Sequence, residues 1–575
     1  MNDIDLLRRR LLAHFAAVGV GAGPLSRVLS ENIQQSDAQA VTKDMLRGAL
    51  VIAGLDFNDQ DQEEILEDIN RYLQQFKDTR DTHISTDISP PFYFSAIVPG
   101  MAINTARERF RMSAPQVRRP ANLQDVAFWP VTNLARLIKT RQATSVELTE
   151  MYLARLKKYG LREKLNCVVT LLEERALAQA QRADIELATG RCRGPLHGIP
   201  WGVKDLFAVK GYKTTWGSSI YKDQMFEYDA TAVELLDRAG AVLVAKLATS
   251  ELAAGDDWWF GGQTRNPWNP SQGSGGSSAG PASATAAGLV GFSLGTETAG
   301  SIIYPSSRCG ITGLRPTFGR VSRYGVMVLS WTLDRPGPMC RSAEDCAVVM
   351  TVITGVDGRD LSVAEIPFSW NAKSDVRKLK VGYLKDAFDE VTDAEARERN
   401  DMLLDQVKAL GLSPIPLRVP EIVCDMSVIS IESGAFFDEL IRSGEDRQIR
   451  DSARDDRVRS ARLIPAAEYL QSQRIRMIAM MRLREATRDV DVYFGPIDIL
   501  DDGRVVSGQA ASRHSTLANI ATYPALALPC GFTDAGMPVA VTFFAPPFCE
   551  DKLLKFGKAY QDTTNFHLKH PDLQG

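Results

Sequence analysis

The chain lacks most of the features that mark a metalloprotein, a disulfide-bonded domain or a nucleic-acid binder. Its six histidines form no H-E-x-x-H or comparable ligand pattern. Its eight cysteines include no C-x-x-C pair, so neither a zinc ribbon nor a dense disulfide framework is indicated. Lysine and arginine total 67 against 71 acidic residues, which leaves no basic excess for neutralising phosphates. We therefore expect no metal, no cofactor and no nucleic-acid partner, and reduced thiols in a cytoplasm-like compartment.

The chain also lacks an apolar run long enough to cross a membrane. Its longest such run, Leu11 to Leu25, has 15 residues and contains His14, whereas a membrane span needs roughly 18 or more. We therefore expect no membrane span. Because Arg8, Arg9 and Arg10 precede this run, one interpretation is a twin-arginine export signal that directs the protein to the periplasm. The other is an amphipathic helix that packs on the core of a cytoplasmic protein.

The hydrophobic pattern divides the chain into three parts. Residues 1 to 80 carry helical spacing that ends in ILEDINRYLQQF, which predicts a helical appendage and a surface for a homodimer. The run THISTDISPPF predicts a linker over residues 81 to 124 that wraps onto the core. From 125 to 575, helices alternate with apolar runs such as AVLVAKL, which indicates buried strands in an α/β domain. Within this domain, RQIRDSARDDRVRSARL (447–463) predicts a solvated helical face.

A segment rich in glycine, serine and alanine fills residues 273 to 288 with GSGGSSAGPASATAAG. Alone it would be typical of a flexible linker, but crowded glycines also let main-chain N–H groups approach a ligand closely. It is no Walker loop, since no lysine follows its final glycine, and no dinucleotide fingerprint, since Ser278 stands where the third glycine belongs. An α/β-hydrolase elbow, G-x-S-x-G, remains an alternative that would make Ser278 the nucleophile of an esterase. The proline-rich run before it does not read as the strand that such an elbow requires.

Five longer motifs follow one another along the chain: GPLHGIPWGVKD (194–205), GSGGSSAG (273–280), GTETAGSI (295–302), CGITGLRPTFGRVSRYGV (309–326) and LDRPGPM (333–339). In these motifs, their order and their spacing, the sequence resembles the amidase signature family over residues 125 to 570. The resemblance implies a central mixed, twisted β-sheet covered by helices on both faces, with the helical appendage outside it. It also implies metal-independent hydrolysis of a carboxamide C–N bond to a carboxylate and ammonia or an amine.

The family's Ser-Ser-Lys triad carries over onto three residues of this chain. The resemblance implies Ser301 as the nucleophile that forms an acyl-enzyme, Ser277 as the proton relay after a cis peptide bond, Lys204 as the base, and Ser278 in support. A serine hydroxyl is a weak nucleophile and no histidine lies within the serine motifs, so another base is needed. Lys204 can serve only if burial lowers its pKa from about 10.4. For an isolated motif, the alternative is a surface lysine beside Asp205.

The turn after the predicted strand at 289 to 297 is the expected oxyanion hole. A turn into a helix leaves main-chain N–H groups unpaired and directed at one point, and one such donor contributes roughly 3 kcal/mol in the transition state. The donors that we expect are the backbone N–H groups of Thr298, Ala299, Gly300 and Ser301. Nearby, Ala279 and Ile303 replace the glycine and arginine that the family commonly has, which makes this wall more apolar.

The substrate is expected to be a small-molecule amide, anilide, carbamate or hydrazide. Aromatic and apolar side chains favour an aryl or bulky acyl group, although each could simply be core packing: Trp258, Trp259, Phe260, Tyr304, Trp331 and Phe437. One family branch is the glutamine-hydrolysing component of tRNA-dependent amidotransferases, with a shared N-L-[AS]-R-Y-D-G stretch. This chain has ESGAFFDELIRSGED (432–446) instead and an N-terminal extension. We therefore expect an amidase, and a glutamine-hydrolysing amidotransferase subunit is the alternative.

Overall fold

The computed structural model describes residues 40–53, 55–81, 94–419, 421–422, 426–450, 456–497 and 508–573. The apolar run from Leu11 to Leu25, and the question of an export signal, lie outside the described residues. The same holds for the run at 82–92 that predicts a linker. None of the helices in the described ranges combines the length and the apolar character that a membrane crossing needs.

One large mixed sheet forms the centre of the molecule. The strands of the described ranges, including those of two short ribbons, are β1 (Val168–Leu171), β2 (Pro200–Lys204), β3 (Val242–Leu247), β4 (Trp258–Trp259), β5 (Gly262–Gln263), β6 (Arg265–Asn266), β7 (Asn269–Gly273), β8 (Phe292–Glu297), β9 (Thr312–Arg315), β10 (Arg335–Cys340), β11 (Val381–Leu384), β12 (Ile415–Leu417), β13 (Val492–Phe494), β14 (Ala525–Phe532) and β15 (Pro538–Phe544). Eleven of them pair in the order β1-β3-β2-β8-β10-β9-β14-β15-β13-β11-β12. β2 runs parallel to β3 and β8, while β8 and β10 are antiparallel.

Helices surround this sheet. The α-helices of the described ranges are α1 (Lys43–Ala53), α2 (Asp59–Asp81), α3 (Val131–Lys139), α4 (Ser145–Arg155), α5 (Glu173–Ala188), α6 (Thr231–Arg238), α7 (Ala279–Ala286), α8 (Ile303–Cys309), α9 (Ala343–Ile353), α10 (Lys385–Asp389), α11 (Ala394–Ala409), α12 (Ser427–Phe436), α13 (Asp438–Ser443), α14 (Asp456–Ser460), α15 (Ala466–Ala486), α16 (Gln509–Ile520) and α17 (Glu550–Thr564). Local signals set several starts. At α4, for example, Thr144 and Glu147 form a reciprocal capping box.

The central strands are buried on both faces. Every residue of β2, β3 and β8 is buried, and neighbouring residues of β3 join different cores. Leu243 packs in a cluster that contains residues of α9 such as Val348, whereas Val244 packs in one that contains Ala284 of α7. Strands covered on both sides read as continuous apolar runs because side chains alternate between two apolar layers. The predicted α/β architecture with a central mixed sheet is confirmed.

The N-terminal helices pack against the part of the chain that follows α12. An apolar cluster joins α1 and α2 to that region through Leu46, Leu50, Phe57, Ile65, Phe437, Leu440, Ile441 and Ile449. Asp61 of α2 also forms an ion pair of 2.9 Å with Arg459 of α14. Arg459 is only 2% exposed and Ser460 is fully buried. The prediction of a solvated face over 447–463 is therefore wrong for this part, because the appendage covers it.

Candidate active site

The predicted triad lysine and the predicted oxyanion turn meet at one edge of the sheet. β2, β3 and β8 are parallel neighbours, so their carboxyl ends lie side by side, which is where open α/β sheets bind ligands. Lys204 is the last residue of β2, and residues 298–301 directly follow the end of β8. Two stretches almost a hundred positions apart in the sequence are thereby brought together.

Lys204 is completely buried. Its Nζ donates to Ser277 Oγ at 2.7 Å and to Thr296 Oγ1 at 2.9 Å. Burial lowers the pKa of Lys204 to about 7, against the charges of Asp334 and Glu297, which raise it. The alternative of a surface lysine is therefore wrong. With this pKa, the neutral and the charged form of the amine are both populated near neutral pH.

The carboxylate next to Lys204 in the sequence serves a different lysine. Asp205 Oδ1 lies 2.7 Å from Lys246 Nζ of β3, and both side chains are fully buried. Its other oxygen accepts a hydrogen bond from the Thr215 backbone N–H at 2.9 Å. Asp205 thus pairs with Lys246 and not with Lys204. Lys204 forms no ion pair with any residue of the described ranges.

The glycine-rich segment crosses the same edge, and its glycines are required by close backbone approach. The Gly276–Ser277 peptide bond is cis. A Cβ on Gly276 would lie 1.5 Å from the carbonyl oxygen of Asp256, and one on Gly280 would lie 2.3 Å from the backbone nitrogen of Ala248. No side chain larger than hydrogen fits at either place. The segment is thus a packed part of the core and not a linker.

Ser278 is held inside this packing. It is fully buried, its Oγ donates to Thr296 O at 3.0 Å, and it accepts from the Thr296 backbone N–H at 3.2 Å. Its own backbone N–H donates to Ser301 O at 3.1 Å. These contacts tie the glycine-rich segment to β8 and to Ser301, which is the arrangement expected of a supporting residue. No hydrogen bond of the described residues joins Ser277 Oγ to Ser301 Oγ directly.

The turn at 298–301 presents free main-chain donors. Among the hydrogen bonds of the described residues, none has the backbone N–H of residues 298, 299, 300 or 301 as its donor. Glu297 stabilises this turn because its Oε2 accepts hydrogen bonds from the backbone N–H groups of Ile302 at 2.7 Å and Ile303 at 2.9 Å, directly after the turn. Its Oε1 pairs with Arg315 at 2.9 Å. Burial by itself raises the pKa of Glu297, but the charges of Arg315 and Arg335 outweigh this and hold the pKa below its usual range.

Asp334 holds the same turn from its other side. Thr298 Oγ1 donates to Asp334 Oδ1 at 2.6 Å, and Asp334 Oδ2 accepts from the backbone N–H groups of Leu329 at 2.6 Å and Ser330 at 3.0 Å. Burial raises the pKa of Asp334. Sequence reasoning missed both Glu297 and Asp334. The only signal for Glu297 was a carboxylate that ends an apolar strand run.

A cavity of about 400 Å³ opens onto this turn, a volume in the range of small-molecule sites. Ser301, Thr298 and Ala299 form one part of its wall. The remaining lining residues are mostly aliphatic and come from 252–255, from the segment between β9 and β10, and from the region of α12 to α14: Leu252, Ala253, Ala254, Gly255, Leu329, Met426, Ile429, Ser430, Ser433, Phe437, Leu440, Ile441, Asp446, Ile449, Arg457, Val458 and Arg459. Ser301 is 8% exposed and is therefore within reach of a molecule in the cavity.

The predicted aromatic pocket residues do not gather around this cavity. Phe437 lines it, whereas Trp258, Tyr304 and Trp331 are outside its lining and have 41%, 38% and 42% of their surface exposed. Trp259 is buried elsewhere, with its indole N–H donating to Asn166 O at 3.3 Å. Phe260 is also outside the lining, and Ile303, at the position that departs from the family, packs on a core cluster. The apolar character was foreseen, but aliphatic side chains from distant helices supply it.

Known proteins match most of this chain. The family model described as Amidase matches residues 147–554. The A subunit of a glutamyl-tRNA(Gln) amidotransferase from Methylococcus capsulatus is 34% identical over 479 residues, covering 77% of this chain and 98% of the relative. Its counterpart from Roseiflexus sp. is also 34% identical, over 75% of this chain and 96% of its own length.

Solved structures with the same fold include a peptide amidase from Stenotrophomonas maltophilia. It has a TM-score of 0.69 and 27% sequence identity, and the match covers 79% of this chain and all of that chain. A structure described as an unexpected vestigial protein complex that reveals the evolutionary origins of an s-triazine catabolic enzyme has a TM-score of 0.68 and 30% identity. That match covers 76% of this chain and 98% of the other. The two matches thus leave about a fifth and about a quarter of this chain uncovered.

Proposed function

The chain belongs to the amidase (amidase signature) family, and on this premise we propose that it hydrolyses a carboxamide through an acyl-enzyme on Ser301. Lys204 is the proposed base and Ser277 the proposed relay. The backbone N–H groups of residues 298 to 301 are the proposed oxyanion hole, and Ser278 is the proposed support. The products are a carboxylate and ammonia or an amine.

In the proposed reaction, protons pass along one chain of groups. Neutral Lys204 accepts the proton of Ser277 Oγ while Ser277 accepts that of Ser301 Oγ, which attacks the amide carbonyl carbon. The carbonyl oxygen becomes an oxyanion that the free N–H groups of the turn stabilise. The C–N bond then breaks as the nitrogen takes a proton back from Ser277. Lys204 then returns its proton to Ser277. Water attacks the acyl-enzyme carbonyl carbon, giving a proton to Ser277 as Ser277 passes its own to Lys204. The bond to Ser301 Oγ then breaks, Ser301 regains a proton from Ser277 and Ser277 regains one from Lys204, and the acid leaves and ionises to the carboxylate.

One observation carries this proposal. A fully buried lysine with a pKa of about 7 lies 2.7 Å from the hydroxyl of Ser277, and it forms no ion pair within the described ranges. A base of this kind needs a pKa near the working pH, because it must be partly neutral and still able to hold a proton. A structural lysine would instead be expected to carry a buried carboxylate partner, as Lys246 does.

The mainly aliphatic cavity supports an amide that carries a bulky apolar group. Together with Ser301, its lining includes Ala299, Leu252, Ala253 and Leu329. Such a surface gains free energy from an apolar group, at about 25 cal/mol per Å² removed from water. It offers little to a small, strongly polar amide. We therefore propose aryl or long-chain acyl amides as the preferred substrate class.

A second candidate function is glutamine hydrolysis within an amidotransferase. The names of the most similar relatives favour it, since components of glutamyl-tRNA(Gln) amidotransferases match this chain over up to 98% of their length. In that case the chain would work within a complex of several proteins. The two functions are distinguished by a glutaminase assay beside a panel of acetamide, benzamide and acetanilide. Faster hydrolysis of glutamine than of every amide of the panel, measured as ammonia or, for acetanilide, as aniline, would select the second candidate.

The proposed compartment is the cytoplasm. Six cysteines of the described ranges are free thiols, four of them buried: Cys167, Cys192, Cys309, Cys340, Cys346 and Cys549. Unpaired thiols are typical of a reducing compartment. The small-molecule substrate remains the proposed partner for the amidase, and a homodimer remains a prediction.

The decisive experiment is Ser301→Ala, assayed on the amide panel with circular dichroism as the check on folding. We expect hydrolysis to fall by roughly 10⁴-fold or more, since removing a nucleophile leaves only binding and oxyanion stabilisation. Ser271→Ala is the matched control, because that serine is exposed and its hydroxyl bonds only to Asn269 among the described residues.

Peptide mapping after fluorophosphonate labelling separates this proposal from the esterase alternative. Modification should fall on Ser301 and not on Ser278, whose hydroxyl is buried and doubly hydrogen-bonded. Full activity in Ser301→Ala, or labelling of Ser278, would refute the assignment.

A further inference from the structure

A buried cluster of charges connects the N-terminal helix α2 to the wall of the cavity. Arg459 Nε donates to Asp446 Oδ2 at 2.6 Å, and Arg459 Nη1 donates to Asp61 Oδ1 at 2.9 Å. Asp61 Oδ2 also accepts from Arg447 Nη2 at 2.7 Å. Asp61, Asp446 and Arg459 are between 2% and 5% exposed. The three side chains form one packed unit in which Arg459 bridges two carboxylates.

Two members of this cluster belong to the cavity itself. Arg459 and Asp446 are among its lining residues, together with Ile449 and Val458 next to them in the sequence. Asp61 is not part of the lining, and among the described residues it contacts the lining through its hydrogen bond from Arg459. Asp61 therefore contacts the cavity wall from the side that faces away from the cavity and does not line the space that a substrate would occupy.

Charge balance explains why Asp61 is needed there. Burying a guanidinium is costly unless it is paired and hydrogen-bonded. Arg459 meets this requirement with Asp446 from its own region and with two carboxylates of α2, Asp61 at 2.9 Å and the more distant Glu64 at 3.8 Å. Burial by itself raises the pKa of Asp61, but the hydrogen bonds and charges of Arg447 and Arg459 outweigh this and hold the pKa below its usual range. Without the carboxylate of Asp61, the Arg459 side chain would shift. The cavity wall around its neighbours Ile449 and Val458 would then change shape.

We propose that Asp61 is a specificity-positioning residue: from α2, it fixes Arg459 and thereby the cavity wall that accepts the bulky apolar group of the substrate. This inference rests on the proposed function, because it concerns the cavity that opens onto Ser301. A small amide fills only part of a 400 Å³ cavity and has no need of this wall. A bulky amide needs it, since its apolar group is stabilised by contact with the whole lining.

The experiment compares two probes of Ser301 in the full-length protein. Second-order labelling rates are measured for a fluorophosphonate with a phenylbutyl group and for one with a methyl group, and the labelled serine is identified by peptide mapping. In Asp61→Asn, we expect the ratio of the phenylbutyl rate to the methyl rate to fall at least fivefold, with the methyl rate within twofold of the wild type. An unchanged ratio, or equal losses with both probes, would overturn the inference.

A matched control is available on the same helix. Asp59 is exposed and pairs with Arg47 at 2.9 Å, so Asp59→Asn removes the same charge from α2 without touching the cavity wall. Its ratio should equal that of the wild type, and a fivefold fall here would also overturn the inference. If Asp61→Asn does not fold, Arg447→Gln removes the half-exposed partner of Asp61. A ratio at least twofold lower supports the inference, and an unchanged one overturns it.

The wild-type protein separates this inference from the proposed function. If neither probe labels Ser301 in the wild type, the proposed amidase fails, and the inference fails with it. If both probes label Ser301 and the ratio does not respond to Asp61→Asn, only the inference fails. In kinetic terms, Asp61→Asn should raise KM for a bulky amide about fivefold while kcat changes less than twofold.

Discussion

The carboxyl ends of β2 and β3 each carry a fully buried lysine, yet only one of the two has a buried carboxylate as its partner. Lys246 on β3 lies 2.7 Å from the carboxylate of Asp205, whereas Lys204 on β2 contacts hydroxyls and a carbonyl oxygen. Burial lowers the pKa of both lysines. The difference between them is therefore the partner and not the depth of burial.

Strand register explains how neighbouring residues reach such different surroundings. β2 and β3 are parallel, with Val203 opposite Lys246 and Lys204 opposite Leu247. Side chains alternate across a strand, so Lys204 and Lys246 point to opposite faces of the sheet. Asp205, one residue after Lys204, points to the face of Lys246. A lysine can thus remain without an ion pair although its sequence neighbour is an aspartate.

The largest expected effect is on catalysis and concerns only Lys204. Lys204→Met should lower kcat/KM by roughly 10⁴-fold, as removal of a triad member does, and leave the protein folded, because no buried carboxylate loses its partner. Activity on benzamide and the urea midpoint are measured together. Retention of more than a tenth of the activity would remove Lys204 from the mechanism.

The reverse pattern is expected for Lys246. Lys246→Met leaves Asp205 buried without its cation, and breaking a buried pair in this way costs about 3 to 5 kcal/mol of unfolding free energy. Urea unfolding followed by circular dichroism measures this loss, with Lys204→Met as the matched substitution on the neighbouring strand. Equal stability losses in the two variants would contradict the distinction between the lysines.

The smallest effect is the pH dependence that a lysine without a carboxylate partner should cause. With a pKa of about 7, the neutral fraction of Lys204 rises with pH, so kcat/KM for a neutral amide should increase roughly tenfold from pH 6 to pH 8 and then level off. Stopped assays in buffers of constant ionic strength provide the profile. A rate that is flat or falls over this interval would show that another group controls the reaction.

The sheet edge that carries the proposed triad could be predicted from the sequence to a greater extent than the cavity. Lys204, Ser277 and Ser301 lie in short motifs whose glycines and buried strands constrain the backbone locally, and the structure brings Lys204 and Ser277 into contact. The cavity wall depends instead on where α12 to α14 pack. No local pattern indicated that Leu440, Ile441 and Ile449 would share one surface with Ala299.

The charged stretch at 447–463 illustrates the limit most clearly. Its composition predicts a solvated face, because charged side chains usually stay in water. Arg459 is nevertheless buried, since Asp61, almost 400 positions earlier, meets it with a carboxylate. Likewise, the aromatic residues Trp258, Tyr304 and Trp331 look suited to a pocket but remain partly exposed outside it.

The sequence by itself determined the α/β class and the family, as well as the residue types at the sheet edge that carries the proposed triad, because apolar runs, glycines and motif spacing act over short distances along the chain. Only the tertiary structure decided which carboxylate pairs with which lysine, how the N-terminal helices cover Arg459, and what lines the cavity. These outcomes depend on strand register and on contacts between distant segments. The interactions between these segments contribute to stability only once the segments are packed together.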